Sequence, residues 1–202
     1  MRNKITTLVI AMSITLLSKA QDEKVLAALS SSYAGETKQE YLASIVTLEN
    51  VYDPNSYLLN LRLGWLNYLK KDYEKSMTYY KKAIALEPKS IEARLGYVSP
   101  TSALEKWDDV LKTYKEILAI DPNNTVVNYR VGYIYYYRKN FVEAEKYIAS
   151  VLKLYPFDYD TNALLGANYL AQGKIKEAKK YYNIALAYNP NSKEIQEILK
   201  KL

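Results

Sequence analysis

Five prolines, Pro54, Pro88, Pro122, Pro156 and Pro190, stand 34 residues apart without slippage, and two positions after each comes Ser56, Ser90, Asn124, Asp158 or Ser192. Proline does not continue a helix, and Ser, Asn and Asp accept hydrogen bonds from the first free N–H groups of the next one. The end of one helix and the start of another are therefore written five times at one interval. Counting back 34 from Ser56 reaches Asp22, which is expected to cap the first helix. Within a unit the pattern is helix, short turn, helix. Tyr57–Leu69 and Tyr73–Leu86 are apolar-periodic around Lys70-Lys71-Asp72, and similar turns fall at Arg138-Lys139-Asn140 and Gln172-Gly173-Lys174. Turns this short make adjacent helices antiparallel. The expected fold is all-α, an α-solenoid of helix–turn–helix units at 23–56, 57–90, 91–124, 125–158 and 159–192. A capping helix over 193–202 follows, with Ile195, Ile198, Leu199 and Leu202 on one face.

Small residues recur where paired helices must come close: Gly64, Gly132 and Gly166 in first helices, Ser76, Ala144 and Ala178 in second helices. Glycine inside a helix costs about 1 kcal/mol against alanine, so three at one register point to close packing. The columns Asn128, Val131, Gly132, Tyr135, Ala144, Ile148 and Pro156 resemble a tetratricopeptide repeat. Asn162, Leu165, Gly166, Tyr169, Ala178, Tyr182 and Pro190 repeat the pattern, and Asn60, Leu63, Gly64, Ser76, Tyr80, Ala83 and Pro88 nearly do. Two units depart from it. The first has Ser30 in the glycine column and Leu42 in the alanine column, as terminal repeats tend to. The third has Val98 for Gly, Thr101 for Tyr, and Pro100 within its first helix, four residues after Gly96, which is placed to ease a bend. A tolerated kink, a kink that widens a ligand groove, and a new short helix capped by Ser99 are all compatible with that spacing.

The N-terminus has the layout of a secretory signal peptide over 1–20: the positive head Met1-Arg2-Asn3-Lys4, an apolar run from Ile5 to Leu17, and Ser18-Lys19-Ala20 before a cut. The run is short for a membrane span, which needs roughly 20 residues, and no cysteine follows for a lipid. Export and solubility after cleavage are expected, with the periplasm favoured over secretion. The formal charge is +6, of which Arg2, Lys4 and Lys19 supply half, and no basic run marks a nucleic-acid site. There is no Cys and no His. Disulfides, thiol nucleophiles, Cys or His metal sites and Ser–His pairs are thereby excluded. Asp108-Asp109 reads as a helix-start pair favoured by the dipole, and adjacent helix residues do not face each other. No catalytic residue, cofactor or metal site is assigned.

The resemblance implies a right-handed α-solenoid whose first helices line a concave groove that binds extended protein segments. One stripe of the fourth unit, Asn128 to Tyr135, serves packing. A second, Val126, Tyr129, Arg130, Tyr133, Tyr136 and Tyr137, then faces the groove. The second unit offers Leu58, Leu61, Arg62, Trp65, Tyr68 and Leu69 there, the third Glu92, Leu95, Ser99 and Ser102, and the fifth Asp160, Ala163, Ala167 and Leu170. Trp, Tyr and Arg dominate recognition hot spots. Arg62, Trp65, Tyr68, Tyr129, Arg130, Tyr133, Tyr136 and Tyr137 are the candidate partner-binding residues, with Arg62 and Arg130 in one column where a ligand carboxylate would meet both. Repeats of this family that clamp acidic chaperone termini use inward Lys and Asn, whereas these columns hold Leu61, Trp65, Leu95, Ser99, Tyr129 and Tyr133. The function expected is a non-catalytic protein-binding scaffold or adaptor of the bacterial cell envelope, engaging a protein or peptide segment. Glycan recognition, of peptidoglycan or polysaccharide, is the alternative.

Overall fold

The computed structural model describes residues 21–202; the expected signal peptide lies outside the described residues. Helices alternate with short turns, and no strand occurs among the described residues. Residues 21–37 are helical (α1). There follow α2 (Tyr41–Glu49), α3 (Tyr57–Leu69), α4 (Tyr73–Leu86), α5 (Ile91–Ala103) and α6 (Trp107–Ile120). The remainder are α7 (Thr125–Tyr137), α8 (Phe141–Leu152), α9 (Tyr159–Ala171), α10 (Ile175–Tyr188) and α11 (Lys193–Lys201). The described residues form an all-helical solenoid of repeats and divide into two compact units, unit 1 ending at Trp107 and unit 2 over Asp108–Leu202.

Each of the five caps that follow a proline is made. Ser56, Ser90, Asn124, Asp158 and Ser192 accept from the backbone N–H three residues on, at Leu59, Ala93, Val127, Thr161 and Ile195. Asp22, also expected to cap, does not, because Gln21 and Asp22 are both already helical; where the later joints have proline two residues ahead of the cap, this one has Ala20. The joints are tied by a second device. Asn60, Asn128 and Asn162 each donate from Nδ2 to the carbonyl of the proline six residues back and to the carbonyl of the cap four back, over 2.8–3.0 Å. In the same column Gln196 reaches Pro190 and Arg94 reaches the Ser90 carbonyl.

The turn inside each helix pair is equally regular. Lys71, Glu105, Lys139 and Gly173, again 34 apart, have φ between 56° and 73°. The next residue's N–H reaches back to the first helix, as from Asp72 to Asn67 and from Lys174 to Tyr169. This is the Schellman arrangement. In the first pair the left-handed residue is Gln39, with φ 62°, two positions later than the 34-residue frame. The offset corrects the assignment of Ser30 and Leu42 to the packing columns. The helices meet instead at Ser32 and Ser44, both buried and joined by a hydrogen bond, while Leu42 is exposed. The equivalent contact in the next pair is Ser76 Oγ donating to the Gly64 carbonyl at 2.7 Å.

Unit 1 packs α2 on α3 around Leu48, Leu59, Leu63 and Leu66, and both α3 and α4 on α5 around Met77, Tyr80 and Tyr97. Tyr80 of α4 lies where a Cβ at either Gly64 of α3 or Gly96 of α5 would meet its ring. Gly96 thus makes room for a neighbour. α5 runs unbroken through Pro100, so Ser99 does not cap a new helix. Unit 2 packs α7 on α8, α8 on α9 and α9 on α10. Ile148 and Leu165 fill one part of its core, and Ala178, Tyr182 and Ala185 another, with α11 laying Ile195, Ile198, Leu199 and Leu202 over the latter. A Cβ at Gly166 would stand 2.8 Å from the Tyr182 ring, which is the close approach that the glycine column anticipates. α6 meets α7 through Asp108–Arg138 at 2.8 Å and Lys115 over the Tyr135 ring.

Candidate functional site

Each unit carries a groove of its own on the first-helix stripe. That of unit 1 has a volume of about 760 Å³, with Leu58, Leu61, Arg62, Trp65 and Leu69 of α3 on one side and Tyr33 and Glu36 of α1 on another. Glu92 and Gly96 of α5 and Tyr80 of α4 complete it. Arg62, Glu36 and the Trp65 indole are already occupied with one another. Arg62 is buried, donating through Nε to Ser32 Oγ, through Nη2 to the Ser32 carbonyl and through Nη1 to Glu36. Its guanidinium also lies 3.8 Å from the centre of the Tyr33 ring. Trp65 donates its indole N–H to the other Glu36 oxygen at 2.9 Å. Burial alone would raise the Glu36 pKa, but the hydrogen bonds from Trp65 and Arg62 and the Arg62 charge together hold it below the ordinary carboxylate value.

Arg62 is therefore not offered to a ligand carboxylate as its column position suggested. It is sequestered because α1 brings Glu36 and Ser32 to it. Tyr68 does not line this groove either. It packs on Trp65 at 5.6 Å and on Tyr73 at 5.9 Å, rotated toward the start of α4. Trp65 and the α3 leucines remain as the groove wall.

Unit 2 has a groove of about 580 Å³ between α7, α9 and α11. Tyr129, Tyr133, Tyr136 and Tyr137 line it from α7, facing Tyr159, Asp160, Ala163, Ala167 and Leu170 of α9, with Tyr182, Glu194 and Ile198 at its end. The α7 rings form a continuous surface: Tyr129 to Tyr133 is 6.3 Å, Tyr133 to Tyr137 is 4.6 Å, and Tyr136 meets Tyr137 edge-on at 5.3 Å. Tyr133 and Tyr137 are 39% and 65% exposed, which leaves ring faces open to a ligand. The hydrogen bond with Tyr137, then burial, raise the Tyr133 pKa; burial and the nearby Asp160 charge raise that of Tyr129. Both phenols stay neutral at physiological pH. Arg130 is exposed and lines an adjoining hollow of about 370 Å³ with Val126, Tyr155, Asp158 and the shared residues Tyr129 and Asp160.

Glu36, Tyr159, Tyr182 and Glu194 belong to these grooves and are absent from the sequence-derived candidates. Glu194 had a signal: it falls 34 residues after Asp160, on the cap helix, where no groove position was sought. Glu36 had none, because it enters through the offset first pair. Among the described residues, no helix is long and apolar enough to cross a membrane.

Two family models described as tetratricopeptide repeat match the chain, at residues 58–90 and 137–202. Among curated proteins none matches. A solved structure titled as the MamA protein is 20% identical and superposes with a TM-score of 0.72, over 82% of this chain and 91% of that one. A tetratricopeptide repeat protein from Parabacteroides merdae is 17% identical with a TM-score of 0.76, over 87% of this chain and 70% of that one. At such identities the superpositions speak for the fold, and the matched repeats speak for the family. The 34-residue frame, the glycine and alanine columns, the helix pairs and these matches agree, and the chain is a tetratricopeptide-repeat protein.

Proposed function

We propose that this protein is an exported, non-catalytic scaffold of the bacterial cell envelope that holds a segment of a partner protein along its first-helix faces. The observation that carries this reading is the row of α7 tyrosines. Tyr133 and Tyr137 keep their rings at the surface of a formed groove, although burial of aromatic surface is strongly favourable. Rings of this kind give a large contact area at low entropy cost. The opposite wall, Ala163 and Ala167, is small enough to admit an extended chain. Periplasmic residence rests on the N-terminal pattern over 1–20.

Affinity capture from solubilised envelope, with the chain as bait and a Tyr133→Ala/Tyr137→Ala variant beside it, tests the groove. These two residues are better probes than Trp65, whose indole is bonded to Glu36 and whose loss would disturb unit 1. The expected result is a protein held by the parent, lost by the variant, and retained after glycosidase treatment. Loss on glycosidase treatment would turn the reading to glycans, and equal capture by the variant would move the interface off α7. Intact-mass analysis of the periplasmic protein is expected to find Gln21 as its first residue; a cytoplasmic protein starting at Met1 would sink the export reading.

A further inference from the structure

The two grooves differ in how their carboxylates are used. In unit 1, Glu36 is neutralised by Arg62, and Glu92 accepts from the Tyr57 hydroxyl at 3.2 Å. In unit 2, Asp160 and Glu194 occupy the column of Glu92; among the described residues no lysine or arginine lines the groove between α7, α9 and α11, and Arg130 lies in the adjoining hollow that shares Tyr129 and Asp160 with it. Neither carboxylate makes a hydrogen bond or ion pair among the described residues. Acidic residues in a first helical turn are favoured by the dipole wherever they occur, so the acids alone say little. Their setting says more. They border a continuous surface of tyrosine rings, whose faces carry the negative part of the ring quadrupole and attract cations within about 6 Å.

Elsewhere in unit 2 the chain supplies its own cations for such rings. Lys115 lies over Tyr135, Lys146 over Tyr147, Lys174 over Tyr169 and Lys180 over Tyr181, at 5.2–5.6 Å. None of these lysines reaches the groove rings Tyr129, Tyr133, Tyr136 and Tyr137.

We propose that the unit 2 groove selects a basic segment of its partner, the segment's Lys and Arg side chains lying along the groove's tyrosine rings and pairing with Asp160 and Glu194. This rests on the reading of the groove as a peptide site and adds the chemistry of the occupant. The preference runs against the whole-chain field, since the net charge is positive, +6 with residues 1–20 and half that without Arg2, Lys4 and Lys19, and attracts acidic peptides. Enrichment of cations is therefore a signature of the local site and not of bulk electrostatics.

The test is selection of a displayed random twelve-residue peptide library on the full chain, on Asp160→Asn/Glu194→Gln, and on Tyr133→Ala/Tyr137→Ala, each shown helical by circular dichroism. The parent is expected to enrich Lys and Arg, and a selected peptide to bind about tenfold more tightly than its Lys/Arg→Gln copy. The Asn/Gln variant should lose that preference while keeping the neutral copy's affinity. Peptides that need Tyr133 and Tyr137 but show no cationic enrichment, or enrichment that persists on the Asn/Gln variant, overturn this inference and leave the groove reading standing. Peptides held equally by the Tyr→Ala variant overturn the groove reading, and this inference with it.

Discussion

Arg62 and Glu36 are 26 positions apart in the chain and bonded in the fold. Arg62 is almost fully buried, and removing a buried charge's partner is costly because the remaining ion is left without compensation. Glu36→Gln is expected to destabilise unit 1 by about 1–3 kcal/mol, less than a fully enclosed pair because Glu36 retains some solvent contact. The pH dependence has a definite sign. The folded-state pKa of Glu36 lies below its ordinary value of 4.5, so its stabilisation is complete above that value. It declines as pH falls toward the folded pKa and is gone below it. Urea midpoints from pH 7 to pH 3, followed by tryptophan fluorescence, should show a steeper acid-side loss for the parent than for Glu36→Gln; parallel curves would refute the assignment. Neither this pair nor the Trp65–Glu36 bond was legible beforehand. Helical periodicity says which face Arg62 occupies, but not which residue of a distant helix arrives there.

At the scale of the element, the turn between paired helices gives the most direct experiment. Lys139 and Gly173 hold the same place in successive repeats, with φ of 58° and 73°, a region that disfavours side chains by roughly 1 kcal/mol. Nothing lies within 4 Å of a Cβ built on Gly173, so its substitution tests the backbone alone. Gly173→Ala should lower stability by about 1 kcal/mol and Lys139→Gly should raise it by a similar amount, read as shifts in the urea midpoint of the circular dichroism signal. Equal signs would be inconsistent with a shared left-handed turn. The turn positions were legible because apolar periodicity stops and restarts around them. The first pair was not, since Lys38-Gln39-Glu40 has neither a capping Asp or Asn, as Asp72 and Asn140 are, nor a glycine such as Gly173 to mark a boundary. Its helices consequently sit two residues off the frame, which moved the packing serines to Ser32 and Ser44. Pro100 left three readings open, and of these only the new helix capped by Ser99 is ruled out. Tertiary packing keeps α5 helical through it, and the nearby glycine answers to Tyr80.

For the whole molecule, the repeat frame was readable because each unit restates it, whereas the groove chemistry emerged only when side chains from different units of sequence met. Glu194 illustrates this, reaching the α7–α9 groove from the cap helix. The cap has a stability role as well. Removing residues 193–202 strips Ile195, Ile198, Leu199 and Leu202 from the Tyr182 core, a loss on the order of 4 kcal/mol from apolar burial. Both tryptophans, Trp65 and Trp107, lie in unit 1. The truncated chain is therefore expected to lose circular dichroism at lower urea than it loses tryptophan fluorescence; coincident transitions at the parent midpoint would argue that α11 is dispensable. The asparagine ties have a different reach. Each spans six residues and closes wholly inside one joint, from the proline carbonyl through the cap to the asparagine. A block of thirty-four residues cut from Asn128 to Thr161 begins and ends within that motif, so copying it in tandem regenerates an intact joint at the seam. Lengthening by duplication is thus built into the chain's punctuation, and an array gains a repeat without inventing a new junction.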